Sequence, residues 1–251
     1  MAGMAQIGMG VGAGMRPIVS SMRAAAAGNV LPATIPASDS FDGIGYDAYS
    51  SNSVTGERFL ARLDDEDSKA AVSGGLLTTT NDSTPGNDAI VTSLATLPAH
   101  SFYWSMDIAS TSDTPVPSAS SHQAGGFITF TNGHFLTFVF KQTSSDTKTL
   151  EVIVGDPGIS TPFSEAATFT GDDGFVGVLT VEVVQNGSNI DILCYLDGTL
   201  KYSWLNKTLT PDSVCVNGFN GGTATWVVNY NSVTLRNGTL ASPGSNITVA
   251  T

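Results

Sequence analysis

The chain has 251 residues, of which 41% are hydrophobic and only 13% charged, and its net charge is −12. This length and composition suit one large domain with a sizeable core. The acidic excess argues against non-specific binding to nucleic acid or to an anionic membrane surface, since both depend on Lys and Arg. No apolar run approaches the roughly 20 residues that a membrane helix requires.

Residues 1–38 differ in composition from the rest of the chain. They are rich in Gly, Ala and Met, and with Arg16 and Arg23 but no acidic residue they carry a charge of +2, which leaves −14 on the remainder. Small side chains bury little area, so this segment is not expected to fold alone. It is a disordered tail, an atypical export signal, or an extended arm ordered only against other subunits. The arm interpretation depends on apolar and basic anchors: Met4, Ile7, Met9, Arg16, Pro17, Ile18 and Arg23.

The globular domain is predicted to span residues 39–240, and residues 241–251 form a short polar tail. Residues 44–72 fit either a short helix or an irregular crossing. Beyond them, β-rich runs and turn residues alternate at intervals of about 8–12 residues, which is typical of an all-β sandwich. The predicted strands cover residues 74–80, 101–109, 125–130, 135–141, 150–154, 168–169, 214–219 and 225–236, together with those of residues 178–204.

Residues 178–204 read as two consecutive hairpins. Apolar and polar residues alternate from Leu179 to Val183, which is the period of a strand with one buried face. Asn186-Gly187 then predicts a tight type I′ turn, and Asp197-Gly198 predicts a second tight turn. The resulting three-stranded meander is so apolar that another sheet must cover it.

Several stretches resemble the concanavalin A-like or laminin-G-like jelly roll of the lectin and glucanase superfamily. They are Asp39-Ser-Phe41, Gly74-Gly-Leu76, Ser101-Phe-Tyr-Trp-Ser-Met-Asp107, Ile190-Asp-Ile-Leu-Cys-Tyr-Leu-Asp-Gly198 and Thr225 to Leu235. The resemblance implies a two-sheet antiparallel jelly-roll sandwich, with the last strand paired beside the first. Since this fold hosts many functions, it implies no particular activity. The Gly/Ala/Met-rich arm resembles those of structural proteins of tailed bacteriophages.

The carboxylates do not form a recognisable catalytic pattern. Glycoside hydrolysis needs two carboxylates in a cleft, and in the glucanase branch these lie on one strand as Glu-x-Asp-x-x-Glu. Glu57, Glu66, Glu151, Glu165 and Glu182 are the candidate glutamates, and none lies in that pattern. Glu182 alternates with apolar neighbours and is expected to face solvent. We therefore predict that the chain is not an enzyme.

Metal and thiol chemistry are also not expected. The run Asp64-Asp65-Glu66-Asp67 is interpreted as a solvated acidic segment. A calcium site is the alternative, although the run lacks the residue spacing of a calcium loop. His100, His122 and His134 lack zinc spacing, and Cys194 and Cys215 are expected to be small buried residues. No cofactor is predicted, with calcium as the alternative.

Glycan binding would use aromatic side chains beside polar groups. The candidates are Tyr103 and Asp107, on the strand face opposite Trp104, and Tyr202 and Trp204 near the second turn. Core or hairpin packing is the more common role of such residues and is the favoured alternative for each of them. The leading hypothesis is a non-enzymatic, oligomeric virion protein, held by its arm to other virion proteins in the head, neck or tail. Its jelly roll would be displayed outside, where host surface glycans could bind. The alternatives are a free lectin, with or without calcium, and a glycan-cleaving enzyme.

Overall fold

The computed structural model describes residues 34–36, 60–63, 69–73, 75–81, 87–93, 97, 99–112, 121–143, 147–155, 158–169, 174–220, 225–246 and 248–250. Within these ranges the chain forms seventeen strands and no helix, hence none that could span a membrane. The strands are β1 Thr34–Pro36, β2 Leu60–Leu63, β3 Lys69–Ser73, β4 Leu76–Asn81, β5 Asn87–Ser93, β6 Phe102–Thr111, β7 Ser121–Phe130, β8 Phe135–Thr143, β9 Lys148–Gly155, β10 Ile159–Ala166, β11 Gly177–Asn186, β12 Asn189–Leu196, β13 Thr199–Lys207, β14 Pro211–Asn220, β15 Trp226–Thr239, β16 Ser242–Asn246 and β17 Thr248–Ala250.

Two antiparallel sheets form a sandwich. The seven-stranded sheet has the order β10-β9-β8-β7-β14-β5-β2, and the eight-stranded sheet has the order β13-β12-β11-β6-β15-β4-β3. Strand β16 pairs with the end of β15, and β1 pairs with β17 as a separate two-stranded sheet. The prediction of an all-β, two-sheet antiparallel jelly-roll sandwich is confirmed. Strand β15 pairs with both β4 and β6.

The core lies between the two sheets and consists of every second side chain of the central strands. The eight-stranded sheet contributes, among others, Trp104, Met106, Leu179 and Val181, each at most 1% exposed. Phe138 packs against them from the seven-stranded sheet and is fully buried. Alternation along each strand therefore decides which residues face the core and which face outward.

The two hairpin turns differ in type. Asp197 and Gly198 have φ values of 49° and 75° between β12 and β13, which suits a type I′ turn. In the first hairpin Asn186 pairs with Asn189, so the turn consists of Gly187 and Ser188, and only Gly187 has a positive φ, of 63°. Glycine at the first central position is typical of type II′. The predicted type I′ turn at Asn186-Gly187 is therefore displaced by one residue and differs in type.

The sandwich is closed along the edge formed by β10 and β13. Lys201 of β13 forms an ion pair of 2.7 Å with Glu165 of β10. The register of β13 shifts near Lys201 and again near Asn206, whose φ is 57°. The register of β10 shifts next to Pro162, which cannot donate a backbone hydrogen bond. Bulges, lysine and proline of this kind protect edge strands from pairing with another chain.

Some elements differ from the sequence prediction. Strands β2 and β3 replace the short helix or irregular crossing predicted within residues 44–72. Strand β10 was not predicted, and residues 168–169, predicted as a strand, lie outside any strand. Strand β1 lies inside the predicted arm, and β16 and β17 lie inside the predicted tail.

Candidate functional site

A polar cluster lies on the outer face of the seven-stranded sheet, which is the face directed away from the core. It consists of Gln123 on β7, Lys141 on β8, and Thr149 and Glu151 on β9, and we call it the Lys141 cluster. Gln123 is opposite Lys141 and Lys141 is opposite Thr149, so the three form one row across the sheet. Glu151 lies one row further, opposite Val139.

The Glu151 carboxylate has a partner on each oxygen. Lys141 Nζ donates to Oε2 at 3.0 Å, and Thr149 Oγ1 donates to Oε1 at 3.0 Å. The side chains of Lys141 and Glu151 are 23% and 10% exposed, respectively, so the ion pair is mostly withdrawn from solvent. A pair with this burial is screened less than a surface pair, and its geometry is better defined.

Buried residues of the same face surround the cluster. Phe127, Thr137 and Val139 point outward from their strands, and yet they are only 1%, 6% and 0% exposed. Gln123 is 7% exposed, and its backbone carbonyl accepts a hydrogen bond of 3.0 Å from Trp226 Nε1 across the core. The polar groups are therefore held on three paired strands among buried neighbours, where hydrogen bonds and charges act more strongly than in water.

The cluster presents both donors and acceptors within a small area. Lys141 has two N–H groups beyond the one used by Glu151, and Gln123 has an amide that both donates and accepts. Among the side chains that the structure describes on this face, Glu151 is the only carboxylate.

Glu182 lies on the outer face of the eight-stranded sheet but does not face solvent as predicted. It is 4% exposed and accepts hydrogen bonds of 2.8 Å from Tyr195 Oη and from the backbone N–H of Leu240. The turn between β15 and β16 folds over the sheet at this point. Burial, followed by the hydrogen bond to Glu182, raises the pKa of Tyr195 to about 12, so the phenol remains a donor.

The four residues proposed for glycan binding do not share one surface. Tyr103 and Asp107 lie on the outer face of the eight-stranded sheet, but Tyr103 is only 7% exposed. Trp204 belongs to the core and meets Phe130 edge to face, with ring centroids 6.3 Å apart. Tyr202 packs against the same core, and burial raises its pKa. Tyr202 and Trp204 therefore pack in or against the core, which was the alternative interpretation for each of the four residues.

The remaining candidates are placed as follows. The arm residues Met4, Ile7, Met9, Arg16, Pro17, Ile18 and Arg23, and the acidic run Asp64 to Asp67, lie outside the described residues. Within the described residues no group of three or more His, Cys, Asp or Glu side chains is arranged to hold a metal ion. Cys194 is fully buried, and burial raises the pKa of its thiol. His122 is stacked on Trp226 inside the sandwich, with ring centroids 4.6 Å apart.

The sequence analysis named Glu151 only as one glutamate among five and did not single out Gln123, Lys141 or Thr149. Alternation along residues 135–141 places Lys141 on one strand face, and this was the one available signal. Three strands pair so that residues 123, 141 and 149 form one row, and no local sequence pattern predicts this pairing.

The sequence matches no protein-family profile and no curated protein. Among solved structures, the carbohydrate recognition domain of Emp46p in its metal-free form is similar at a TM-score of 0.53 and 8% identity, covering 78% of this chain and 96% of that chain. The alginate lyase AlyC3 is similar at 0.50 and 9% identity, covering 68% and 78%. The legume lectin-like domain of Entamoeba histolytica scores 0.49 at 12% identity, covering 68% and 88%. The chain has a lectin-like jelly-roll fold.

These likenesses correct one prediction. The chain was predicted not to be an enzyme, because no glucanase pattern is present. That prediction is wrong, since a chain described as an alginate lyase has the same fold without close sequence similarity. The missing Glu-x-Asp-x-x-Glu pattern therefore does not exclude glycan cleavage. The three similar structures named above are two lectin-like or carbohydrate-recognition domains and an alginate lyase, and none of these three is described as a virion protein.

Proposed function

We propose that this chain binds glycans on the outer face of its seven-stranded sheet, at the Lys141 cluster. The observation that carries the proposal is the arrangement of Gln123, Lys141, Thr149 and Glu151, which unites donors and acceptors on three adjacent strands. Sugar hydroxyls both donate and accept hydrogen bonds, so they match a site of this kind. The carbohydrate recognition domain of Emp46p supports the proposal at the level of the fold.

The charge of the chain favours a neutral glycan. Lys141 and Glu151 neutralise each other, so the cluster offers no net charge to an acidic sugar. The whole chain carries −12, and a field of that sign slows the approach of a polyanion. Hydroxyl-rich neutral saccharides are therefore the expected ligands, held chiefly by charge-assisted hydrogen bonds from Lys141, whose side chain is 23% exposed, while the 10% exposed Glu151 orients the ammonium group.

The test is a glycan array followed by calorimetry on the strongest ligand. Lys141→Gln and Glu151→Gln each remove a charged partner, and each is expected to weaken binding about tenfold or more, since a hydrogen bond to a charged group is worth about 1.5–3 kcal/mol. The matched control is Lys201→Gln, which breaks the ion pair with Glu165 at the sandwich edge and should leave affinity unchanged. A wild-type chain that binds no saccharide, or two cluster variants that bind as well as wild type, would refute the proposal.

The array is read together with product analysis, because an alginate lyase has this fold. Each bound glycan is incubated with the protein and then examined for shorter chains by chromatography. If products form, Glu151→Gln distinguishes cleavage at the Lys141 cluster, which it should abolish, from cleavage elsewhere, which it should not change.

A second proposal concerns residues 1–38, whose composition differs sharply from that of the sandwich. They would anchor the chain to other proteins of a tailed-phage particle, with the glycan-binding sandwich displayed outside. Particles are assembled with the full chain or with a chain that lacks residues 1–30, and incorporation is measured after sedimentation. The truncated chain should remain soluble and folded but absent from particles. Normal incorporation of the truncated chain would contradict the anchor.

A further inference from the structure

We infer that Asn186 is a site of spontaneous covalent modification, at which the side-chain amide is converted to a carboxylate. The reaction is intramolecular, and it is fastest where a glycine follows the asparagine, because a side chain at that position hinders ring closure. The sequence contains five such Asn-Gly pairs, which begin at Asn132, Asn186, Asn217, Asn220 and Asn237. The structure describes both residues of four pairs, and Gly221 of the pair at Asn220 lies outside the described residues.

Hydrogen bonds protect three of the four described pairs. The reacting group is the backbone N–H of the glycine, which must be free before it can attack. Gly133 N–H donates to the Phe130 carbonyl at 3.0 Å, and Gly238 N–H donates to the Ser101 carbonyl at 2.8 Å. Gly218 lies within β14, which pairs with β5 on one side and with β7 on the other, so its N–H belongs to a ladder. Each of these three glycines has to give up a hydrogen bond before it can react.

Gly187 lacks this protection. It lies in the turn between β11 and β12, and its N–H has no hydrogen-bond partner among the described residues. Gln185 Nε2 donates to the carbonyls of Gly187 and Asn189, which leaves that N–H free. Asn186 and Gly187 are both exposed, and a Cβ added at Gly187 would meet nothing within 4 Å. The Asn186 side chain donates from Nδ2 to Asp191 Oδ2 at 3.4 Å, which is a long and therefore weak contact.

Ring closure requires the opening of the hairpin end alone. Asn186 is the last residue of β11 and pairs with Asn189, the first residue of β12. Rotation about the Cα–C bond of Asn186 must bring the Gly187 nitrogen to the side-chain carbonyl, and this rotation breaks that one pair. Terminal pairs at an exposed turn open at a much lower free energy than the core strands. Glycine accommodates the backbone angles that follow the rotation at little steric cost.

The chemistry needs no reagent other than water. The Gly187 nitrogen attacks Cγ of Asn186 and forms a cyclic succinimide. The bond between Cγ and Nδ2 breaks, and Nδ2 takes up the proton lost by the Gly187 nitrogen and leaves as ammonia. Water then opens one of the two imide C–N bonds, which gives either aspartate or isoaspartate, in which the main chain runs through Cγ. The net reaction consumes one water and releases one ammonia, and both products carry a carboxylate in place of the amide.

The new carboxylate lies beside Asp191. An amide donor 3.4 Å from Asp191 Oδ2 is replaced by a negatively charged oxygen, so a weak attraction becomes a repulsion. Asp191 Oδ1 also accepts a hydrogen bond of 2.6 Å from the backbone N–H of Asn206, at the bulge of β13. In the isoaspartate product the additional main-chain atom shifts residue 186 out of register with Asn189. The modification therefore accumulates with the age of the molecule and loosens the end of the meander formed by β11, β12 and β13.

The test is a time course of the full chain at mildly alkaline pH, followed by peptide mapping with mass spectrometry. Asn186 is expected to be converted about tenfold faster than Asn132 and Asn237, because breaking one hydrogen bond lowers the reactive population by roughly that factor. The control is the same chain unfolded in guanidinium chloride, in which all five pairs should react at similar rates. Faster conversion of Asn132 or Asn237 than of Asn186 in the folded chain would overturn the inference. So would a folded chain in which Asn186 stays intact while the unfolded chain is fully converted.

Substitutions test the structural consequence. Asn186→Asp reproduces the charge of the product, and it should lower the urea concentration at the midpoint of unfolding. Adding Asp191→Asn removes the repulsion but keeps an acceptor for the Asn206 N–H, so it should restore the midpoint. Asn186→Gln keeps the amide but closes the ring far more slowly, and it should stay unmodified over the same time course. An Asn186→Asp chain that unfolds at the wild-type midpoint, or one that Asp191→Asn does not restore, would refute the proposed loosening through Asp191.

Discussion

Replacing Glu182 should destabilise the fold although it removes no core residue. The carboxylate is 4% exposed and is the acceptor for both Tyr195 Oη and Leu240 N–H, each at 2.8 Å. Hydrogen bonds to a charged group are worth about 1.5–3 kcal/mol each, and Glu182→Ala loses two of them. Because the buried charge also disappears, part of this loss is offset. We therefore expect the free energy of unfolding to fall by about 2–4 kcal/mol.

The contribution of the Tyr195 hydrogen bond can be separated by a double-mutant cycle. Tyr195→Phe removes the donor, Glu182→Gln weakens the acceptor, and the doubly substituted chain completes the cycle. The coupling free energy from urea unfolding should be about 1.5 kcal/mol, because the two groups are in direct contact. Glu165→Gln is the control: its ion pair with Lys201 is more exposed, so it should cost at most about 1 kcal/mol. A Glu182→Ala variant within about 0.5 kcal/mol of wild type would show that the turn over the sheet contributes nothing, and this reasoning would fail.

Three further predictions concern alkaline stability, the core and a turn. The pKa of Tyr195 rises from its ordinary value of 10 to about 12 through burial and its bond to Glu182, so the folded state retains a proton that the unfolded chain releases. The stability that this proton contributes is complete below pH 10 and is lost as the pH rises towards 12. Tyr195→Phe should reduce this loss when the free energy of unfolding is measured with urea at several pH values. An unchanged dependence of the free energy of unfolding on pH would contradict the prediction. Trp226→Ala should lower the free energy of unfolding by about 3–5 kcal/mol, since the side chain is fully buried and also donates to Gln123. Gly198→Ala should lower the free energy of unfolding by about 1 kcal/mol. The cause is the φ of 75° alone, because the added Cβ meets no atom within 4 Å. Gly158 is equally open and has no positive φ, so Gly158→Ala should not lower the free energy of unfolding. Equal melting temperatures for the two glycine variants would refute this explanation.

The predicted strands were confirmed where alternation is strong and turn residues flank it. Residues 178–204 form β11, β12 and β13, and the Asp197-Gly198 turn occurs as expected. Strand β10 was missed because Ile159 to Ala166 shows no alternation and contains Pro162, both of which are tolerated at an edge. The turn after β11 was displaced by one residue, since Asn186-Gly187 and Gly187-Ser188 are both acceptable turn pairs and the register of the strands selects between them.

The candidate site likewise combines features that the sequence predicts with features that only the tertiary structure reveals. Glu182 was expected to face solvent from its alternation, and it does lie on the outer face. It is nevertheless buried, because the turn that contains Leu240, about sixty residues later in the chain, folds over it. Taken separately, Lys141 and Glu151 are ordinary strand residues whose local sequence does not indicate a functional site. They become a site only when β8 and β9 pair in a register that sets Nζ 3.0 Å from the carboxylate.

The sequence by itself determined the class of fold, since period-2 alternation and glycine turns are local properties that need no partner. It also separated residues 1–38 from the acidic remainder by composition alone. Only the tertiary structure decided which strands are neighbours and in what register, because those pairings join residues far apart in the chain and are selected by packing of the whole core. That selection created the Lys141 cluster on the outer face of the seven-stranded sheet.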